Sequence, residues 1–385
     1  MNDLLESYAI EANLIEPEPH VDIGLIEGGQ LCFDTQPLEE HDSVAEQLTE
    51  VGAVFESLES YTSKFLDLVS AESWNGLTTQ QFQLGVKAIF GAVGFNLADS
   101  MIELSTESSE DAKTQTEGKV KGLLARMWEA FKAAIGSFIE MILRLADNYG
   151  KSVGAVGKMI TTLKDRLASN KGAPTKSKFT GSPKWTAYMR MDGETLMPER
   201  SLAITARLIT ELGGDWVKNY ARLREVIGKT IEAGKPVTVE SFKGNNAIYT
   251  QGIGPWPGGA FVTIRDDKNQ SELGMLTQTV HVERKIELVT NPAVLTGSEI
   301  NQLIDRMVSI HNAMRAVHSE LGFEARSLKR FADSLKTTNA KVGPQVLSKI
   351  ISRIAVGPRT LLPLAGGIVQ DAFLHANASL RSYQN

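Results

Sequence analysis

Cysteine is almost missing from this chain. Cys32 is the single one in 385 residues. It can form no internal disulfide, so a disulfide framework and cysteine-rich zinc sites are excluded. Long hydrophobic runs are missing too. No stretch approaches the roughly 18 uninterrupted apolar residues of a membrane span. Basic residues are scarce at the start. Met1 to His20 carry five acidic side chains and no Lys or Arg. A secretory signal needs a positive start and an apolar middle, and none is expected here. No arginine precedes Arg126.

Motifs that carry chemistry are as scarce. Gly252, Gly254, Gly258 and Gly259 are not followed by the Gly-Lys-Ser/Thr of a phosphate loop. His281-Val282-Glu283 has the His-x-Glu shape of a zinc deaminase, but the two cysteine ligands that fold requires do not follow. His311 and His318 stand two helical turns apart, about 10 Å, which is too far for one metal ion. A surface or boundary position suits them better. No Gly-x-Ser-x-Gly elbow occurs. We therefore assign no catalytic, cofactor-binding or metal-ligating residue, and the chain reads as a non-enzyme.

What the sequence does have is a reversal of charge. Residues 1–110 contain 21 acidic side chains and two basic ones, Lys64 and Lys87, a net charge of −19. Residues 111–385 contain 25 acidic and 38 basic, a net charge of +13. Such asymmetry suggests an acidic arm or pro-segment joined to a body that tolerates or seeks polyanions. A plain solubilising extension is the alternative.

The fold class is mainly α (α+β). Residues 1–42 hold Pro17, Pro19 and Pro37 and no lasting period, which predicts a mobile acidic arm. Ser43 and Glu46 have capping-box spacing. Val44, Leu48, Val51, Phe55, Leu58, Phe65 and Val69 then follow a four-three spacing, with Thr62 as a polar gap. Phe82, Val86, Ile89, Phe90, Val93, Leu97 and Met101 mark a second helix. Together they predict an acidic helical hairpin over about 43–104. Ser105 to Gly118 has no apolar face and reads as an exposed, extended linker. Helices are expected over 119–168, ended once at Gly150, and over 201–233. The first carries Leu124, Met127, Trp128, Phe131, Ile135 and Phe138 on one side. That stripe also suits a membrane surface, though a buried core face is the default. A small antiparallel sheet is expected over 236–290. Thr296 and Glu299 repeat the capping-box spacing ahead of C-terminal helices over 296–376. Residues 111–385 are expected to fold around one core of their own.

The basic loop over 169–187 interleaves cations with aromatics. Lys171, Lys176, Lys178 and Lys184 lie among Gly, Ser and Pro, with Phe179, Trp185, Tyr188 and Arg190 between or just beyond them. Base stacking with phosphate contact uses that mixture, which makes Lys171, Lys176, Lys178, Lys184, Trp185 and Arg190 candidate nucleic-acid contacts. A solvated loop whose aromatics anchor it to the core is the competing reading.

An acidic N-terminal part, an exposed junction and a basic helical body resemble the internal head, or inner-body, proteins of phiKZ-like giant tailed bacteriophages. The resemblance implies a virion structural protein, made in the bacterial host cytoplasm and packaged inside the capsid with double-stranded DNA. It implies as partners a prohead protease and other internal head or core proteins, with no membrane and no cofactor. It also implies removal of an N-terminal propeptide by cutting after Glu in a Ser/Ala/Gly-x-Glu motif. Matches are Ala9-Ile10-Glu11, Ser57-Leu58-Glu59, Ser70-Ala71-Glu72, Ser105-Thr106-Glu107 and Ser108-Ser109-Glu110, with Gly297-Ser298-Glu299 and Gly322-Phe323-Glu324 downstream. The pair ending at Glu107 and Glu110 sits where the charge reverses. Ser105, Glu107, Ser108 and Glu110 are therefore the expected propeptide-cleavage residues, and Asp111 the expected new N-terminus. Two other readings stay open: a soluble scaffold with a permanent acidic arm, and an injected effector enzyme of unknown chemistry.

Overall fold

The computed structural model describes residues 36–70, 76–91, 110–170, 172–235, 255–266, 278–335 and 344–383. The arm over 1–35 and the apolar positions Val93, Leu97 and Met101 lie outside the described residues.

The heptad-like stripe forms α1 (Gln36–Ser70). Leu48, Val51, Phe55, Leu58, Phe65 and Val69 are all buried. The polar gap at Thr62 is buried as well, and its hydroxyl donates to the Leu58 carbonyl one turn back, at 2.5 Å. The helix begins seven residues before Ser43, so Ser43 does not cap it. Pro37 is tolerated there because first-turn N–H groups have no intrahelical partner. α2 (Gly76–Gly91) folds back on α1. Phe82 stacks on Phe65 at 4.1 Å and on Tyr61 at 5.4 Å.

α3 (Glu110–Ser169) is one helix of 60 residues, about 90 Å long by helix rise. This corrects two expectations. First, residues 110–118 are helical, not extended, and Thr116 is fully buried. Ala, Lys, Gln and Glu there are good helix formers, and extending an existing helix needs no new nucleus. Second, Gly150 does not end the helix. A mid-helix Gly costs about 1 kcal/mol, but the apolar stripe keeps its phase across it: Leu145, Tyr149, Val156, Ile160 and Leu163 are all buried.

Downstream, α4 (Pro198–Leu208) runs into a π-helical segment (Ile209–Asp215) and then α5 (Trp216–Glu232). The expected sheet is present as β3 (Pro255–Trp256), β4 (Ala260–Asp266) and β5 (Gln278–Arg284), antiparallel in that order, with Ala260 opposite Arg284 and Asp266 opposite Gln278. A second ladder was not expected: β1 (Arg190–Met191) pairs with β2 (Glu194–Thr195). Asp192 and Gly193 make its turn with φ of 51° and 79°. Asp-Gly with both φ positive is the type I′ hairpin signal.

Thr296 caps α6 (Gly297–Ser334) as its spacing predicts. The Glu299 N–H donates to Thr296 Oγ1 at 3.3 Å and the Thr296 N–H to Glu299 Oε2 at 2.7 Å. α6 runs unbroken through 323–334. α7 (Pro344–Arg353) and α8 (Val356–Arg381) complete the chain, and α8 buries residues 361–376 along most of its length.

All these helices share one core. Phe55 of α1 meets Trp128 and Phe131 of α3, with ring centroids at 5.4 and 6.5 Å. A Cβ at Gly52 would come 2.5 Å from the Ser348 hydroxyl of α7, so α1 and α7 touch backbone to side chain. Asp42 of α1 pairs with Arg359 of α8. α3 continues from its contact with α1 into its contact with α6, where a Cβ at Gly150 would lie 3.5 Å from the His318 ring and one at Gly157 3.6 Å from the His311 ring. The core of the body over 111–385 is thus continuous with that of α1 and α2. Charge reverses at 110; packing does not. The described residues all fall within a single compact unit.

Candidate nucleic-acid interface and processing sites

The basic loop has no apolar period, and its regular structure among the described residues is one 3-10 turn, Lys184–Thr186. It is held by backbone pairing to segments far away in sequence. The Thr175 N–H and hydroxyl both donate to the Ser382 carbonyl, at 2.9 and 2.7 Å. The Phe179 N–H donates to the Pro292 carbonyl at 2.8 Å, and the Val294 N–H to the Ser177 carbonyl at 2.9 Å. The Asn291 N–H donates to the Gly181 carbonyl at 2.7 Å, and the Gly181 N–H returns to the Asn291 side-chain oxygen at 2.9 Å. Each side of the loop is therefore fixed, one by the end of α8 and one by residues 290–294.

Its aromatics turn inward. Trp185 stacks on His375 of α8 at 4.4 Å between centroids, and Phe179 meets Trp185 edge-on at 5.3 Å. His375 is 1% exposed. Its Nε2 lies 2.7 Å from the Ala293 carbonyl. A carbonyl only accepts, so Nε2 carries the proton and Nδ1 is a buried acceptor with no hydrogen-bond partner. Burial pushes the imidazole down to about 4, against the milder opposing effects of the Ala293 carbonyl and Glu299.

The six expected contact residues therefore divide. Lys176, Lys178 and Lys184 are exposed on the loop, with Lys176 Nζ 4.9 Å above the Phe179 ring. Trp185 is half-buried and committed to His375. Arg190 donates to Glu287 Oε2 at 2.8 Å, and Glu287 also pairs with Lys285 at 3.2 Å. Hydrogen bonds from Lys285 and Arg190 hold the Glu287 carboxyl below its usual range. Arg190 thus ties the segment after β5, at Glu287, to β1. Lys171 lies outside the described residues. One cation escaped the sequence reading. Arg381, at the end of α8, is exposed and stands next to the Ser382 carbonyl that receives Thr175. No local pattern links positions more than 200 residues apart.

The candidate cutting sites also divide. Leu58, the middle residue of Ser57-Leu58-Glu59, is wholly buried inside α1. Glu299 is locked in the α6 capping box. Glu324 is 1% exposed and accepts two bonds from Arg224, at 2.6 and 3.1 Å, with the Phe331 ring 5.7 Å from the guanidinium. Burial raises the Glu324 carboxyl, and Arg224 opposes that shift. None of these three offers a protease an extended chain. Glu110 opens α3, where helix ends fray. Ser105, Glu107 and Ser108 lie outside the described residues, as do Glu11 and Glu72.

Among the described residues no group of His, Cys, Asp and Glu could hold a metal ion, and no described helix is long and apolar enough to cross a membrane. What the architecture offers is a helical body with a lysine-bearing loop, which is the equipment of a structural or binding protein.

The family of phiKZ-like phage internal head proteins matches residues 13–268. That is about two thirds of the chain, and it takes in the acidic region, the charge reversal, α3, the basic loop and the start of the sheet. The chain belongs to this family of phage head proteins, which places it inside the capsid in a structural role. Neither the comparison with curated proteins nor that with solved structures finds a match.

Proposed function

We propose that this internal head protein is packaged with double-stranded DNA and that a prohead protease cuts it between Ser105 and Asp111. The observation that carries the reading is the family match across residue 110. One family match takes in most of the acidic part and the basic body as far as residue 268, and on this reading their opposite charges act together. Before cutting, −19 of tethered charge competes with phosphate for the body's cations and restrains early binding. The prohead protease, other internal head or core proteins and packaged DNA are the partners of this reading.

The cut leaves α1 and α2 without a covalent link to α3, yet seated on it. Shedding them means extracting Phe55, Leu58 and their neighbours from the core. That burial favours a second reading, in which the chain is a scaffold whose acidic helices are never released. Mass spectrometry of purified particles separates the two. The tryptic peptide Ala88–Lys113 should be missing from mature heads. Its recovery at the abundance of peptides from 119–385 sinks the maturation reading. If it is missing while the tryptic peptide Phe65–Lys87 persists, the chain is cut and the hairpin retained.

A further inference from the structure

We propose that the basic loop and the C-terminal end of α8 form one phosphate-binding face, made by Lys176, Lys178, Lys184 and Arg381, which grips the backbone of duplex DNA and stacks on no bases. This rests on the packaging reading above and goes beyond it by naming the surface, the form of the nucleic acid and the mode of contact.

The loop follows the last turns of α8. At one end Trp185 lies on His375; at the other Thr175 is bonded to Ser382. Seven residues of helix separate His375 from Ser382, roughly 10 Å by helix rise. Lys184 adjoins the first anchor, Lys176 adjoins the second, and Arg381 stands beside it on the helix. The antiparallel bridges Pro174–Tyr383 and Lys178–Ala293 fix the backbone between. All four cations are exposed, and none makes an ion pair among the described residues. The one nearby carboxylate of α6's first turn, Glu299, is engaged in its own capping box.

Proteins that grip single strands offer aromatic faces to successive bases. Here Trp185 lays a face on His375, Phe179 meets Trp185 edge-on, and the Lys176 ammonium sits over the Phe179 ring. Freeing Trp185 would uncover the buried imidazole beneath it. What remains outside is a row of cations on a pinned backbone. Such a row neutralises phosphate, releases counterions and ignores sequence.

The test uses the full-length chain and a random-sequence duplex of about 30 base pairs, titrated from 50 to 200 mM salt. The variant Lys176→Ala/Lys178→Ala/Lys184→Ala/Arg381→Ala should bind at least tenfold more weakly at the low-salt end. Its log–log salt slope should flatten by about 3 to 4, near 0.9 per lost contact. The four-arginine counterpart, with Arg381 kept, should restore both and shows that charge rather than fold was lost. Oligo(dT) of equal length should bind no tighter than duplex, and Trp185→Phe should leave both affinities unchanged. Wild-type affinity in the alanine variant overturns this surface while leaving packaging intact. Tighter oligo(dT) binding that Trp185→Phe abolishes overturns the duplex mode in favour of base stacking. Absence of the chain from purified heads is the separate failure of the packaging reading.

Discussion

The acidic hairpin and the basic loop are built by opposite means. α1 and α2 are regular, and α1 enters the core through one apolar stripe, with the ion pair Asp42–Arg359 reaching α8. The loop over 172–187 has no period and is fixed by backbone bonds and one aromatic trio. Apolar burial is indifferent to net charge, so a segment that repels its surroundings less than it packs with them becomes core. The lesson is that a charge boundary and a folding boundary are separate properties, and here they lie apart.

The largest effect should come from breaking the hairpin side. Deleting residues 1–110 strips the cover from Trp128 and Phe131, both 1% exposed or less. A patch of that kind aggregates a monomer. The truncated body should be insoluble or lack a cooperative unfolding transition; a soluble product that unfolds cooperatively would restore the independent body that the sequence suggests. Within the full chain, Phe55→Ala should cost about 3–5 kcal/mol, read by chemical denaturation.

Next is the buried pair that crosses from α5 to α6. Glu324→Ala leaves the Arg224 guanidinium, 6% exposed, without its buried partner, and only the exposed Glu225 carboxylate at 3.9 Å remains beside it. The loss should be about 3–5 kcal/mol. An apolar pair, Arg224→Met with Glu324→Leu, should recover most of it. If the single and double variants are equally unstable, packing rather than charge pairing holds that site.

The loop side should break more gently, and by pH. His375 has a folded value near 4 against 6.5 unfolded. The unfolded chain takes up the proton first, so stability is full above 6.5 and is lost as pH falls toward 4. The loss should reach about 3 kcal/mol at the lower limit. Denaturant midpoints for wild type and His375→Gln, measured from pH 7 to 4, check this; parallel curves would remove His375 as the cause.

Smallest is the α6 cap. Thr296→Ala removes the acceptor of the Glu299 N–H and should cost about 1 kcal/mol. Thr296→Ser should cost almost nothing.

Much of this was legible in the chain itself. The stripes of α1, α3 and α6, the Thr296 cap and the small sheet follow from local spacing, because helix and strand periods are properties of neighbouring residues. Even the missed β1–β2 hairpin carried its Asp192-Gly193 signal. The continuity of α3 through Gly150 was not legible. A mid-helix Gly reads as a stop until α6 is seen lying against it. Nor could spacing reveal that Trp185 stacks on His375, that Arg190 is spent on Glu287, or that Arg381 joins the loop. Those pairings join residues about 100 to 200 positions apart. By itself the sequence determined the helical class, the lack of an internal disulfide and the charge reversal at 110, all of which are local or additive. Only the tertiary structure decided that the acidic helices belong to the core and that the loop shows cations rather than rings. Burial and stacking depend on which surfaces meet, and that is settled by the whole chain at once.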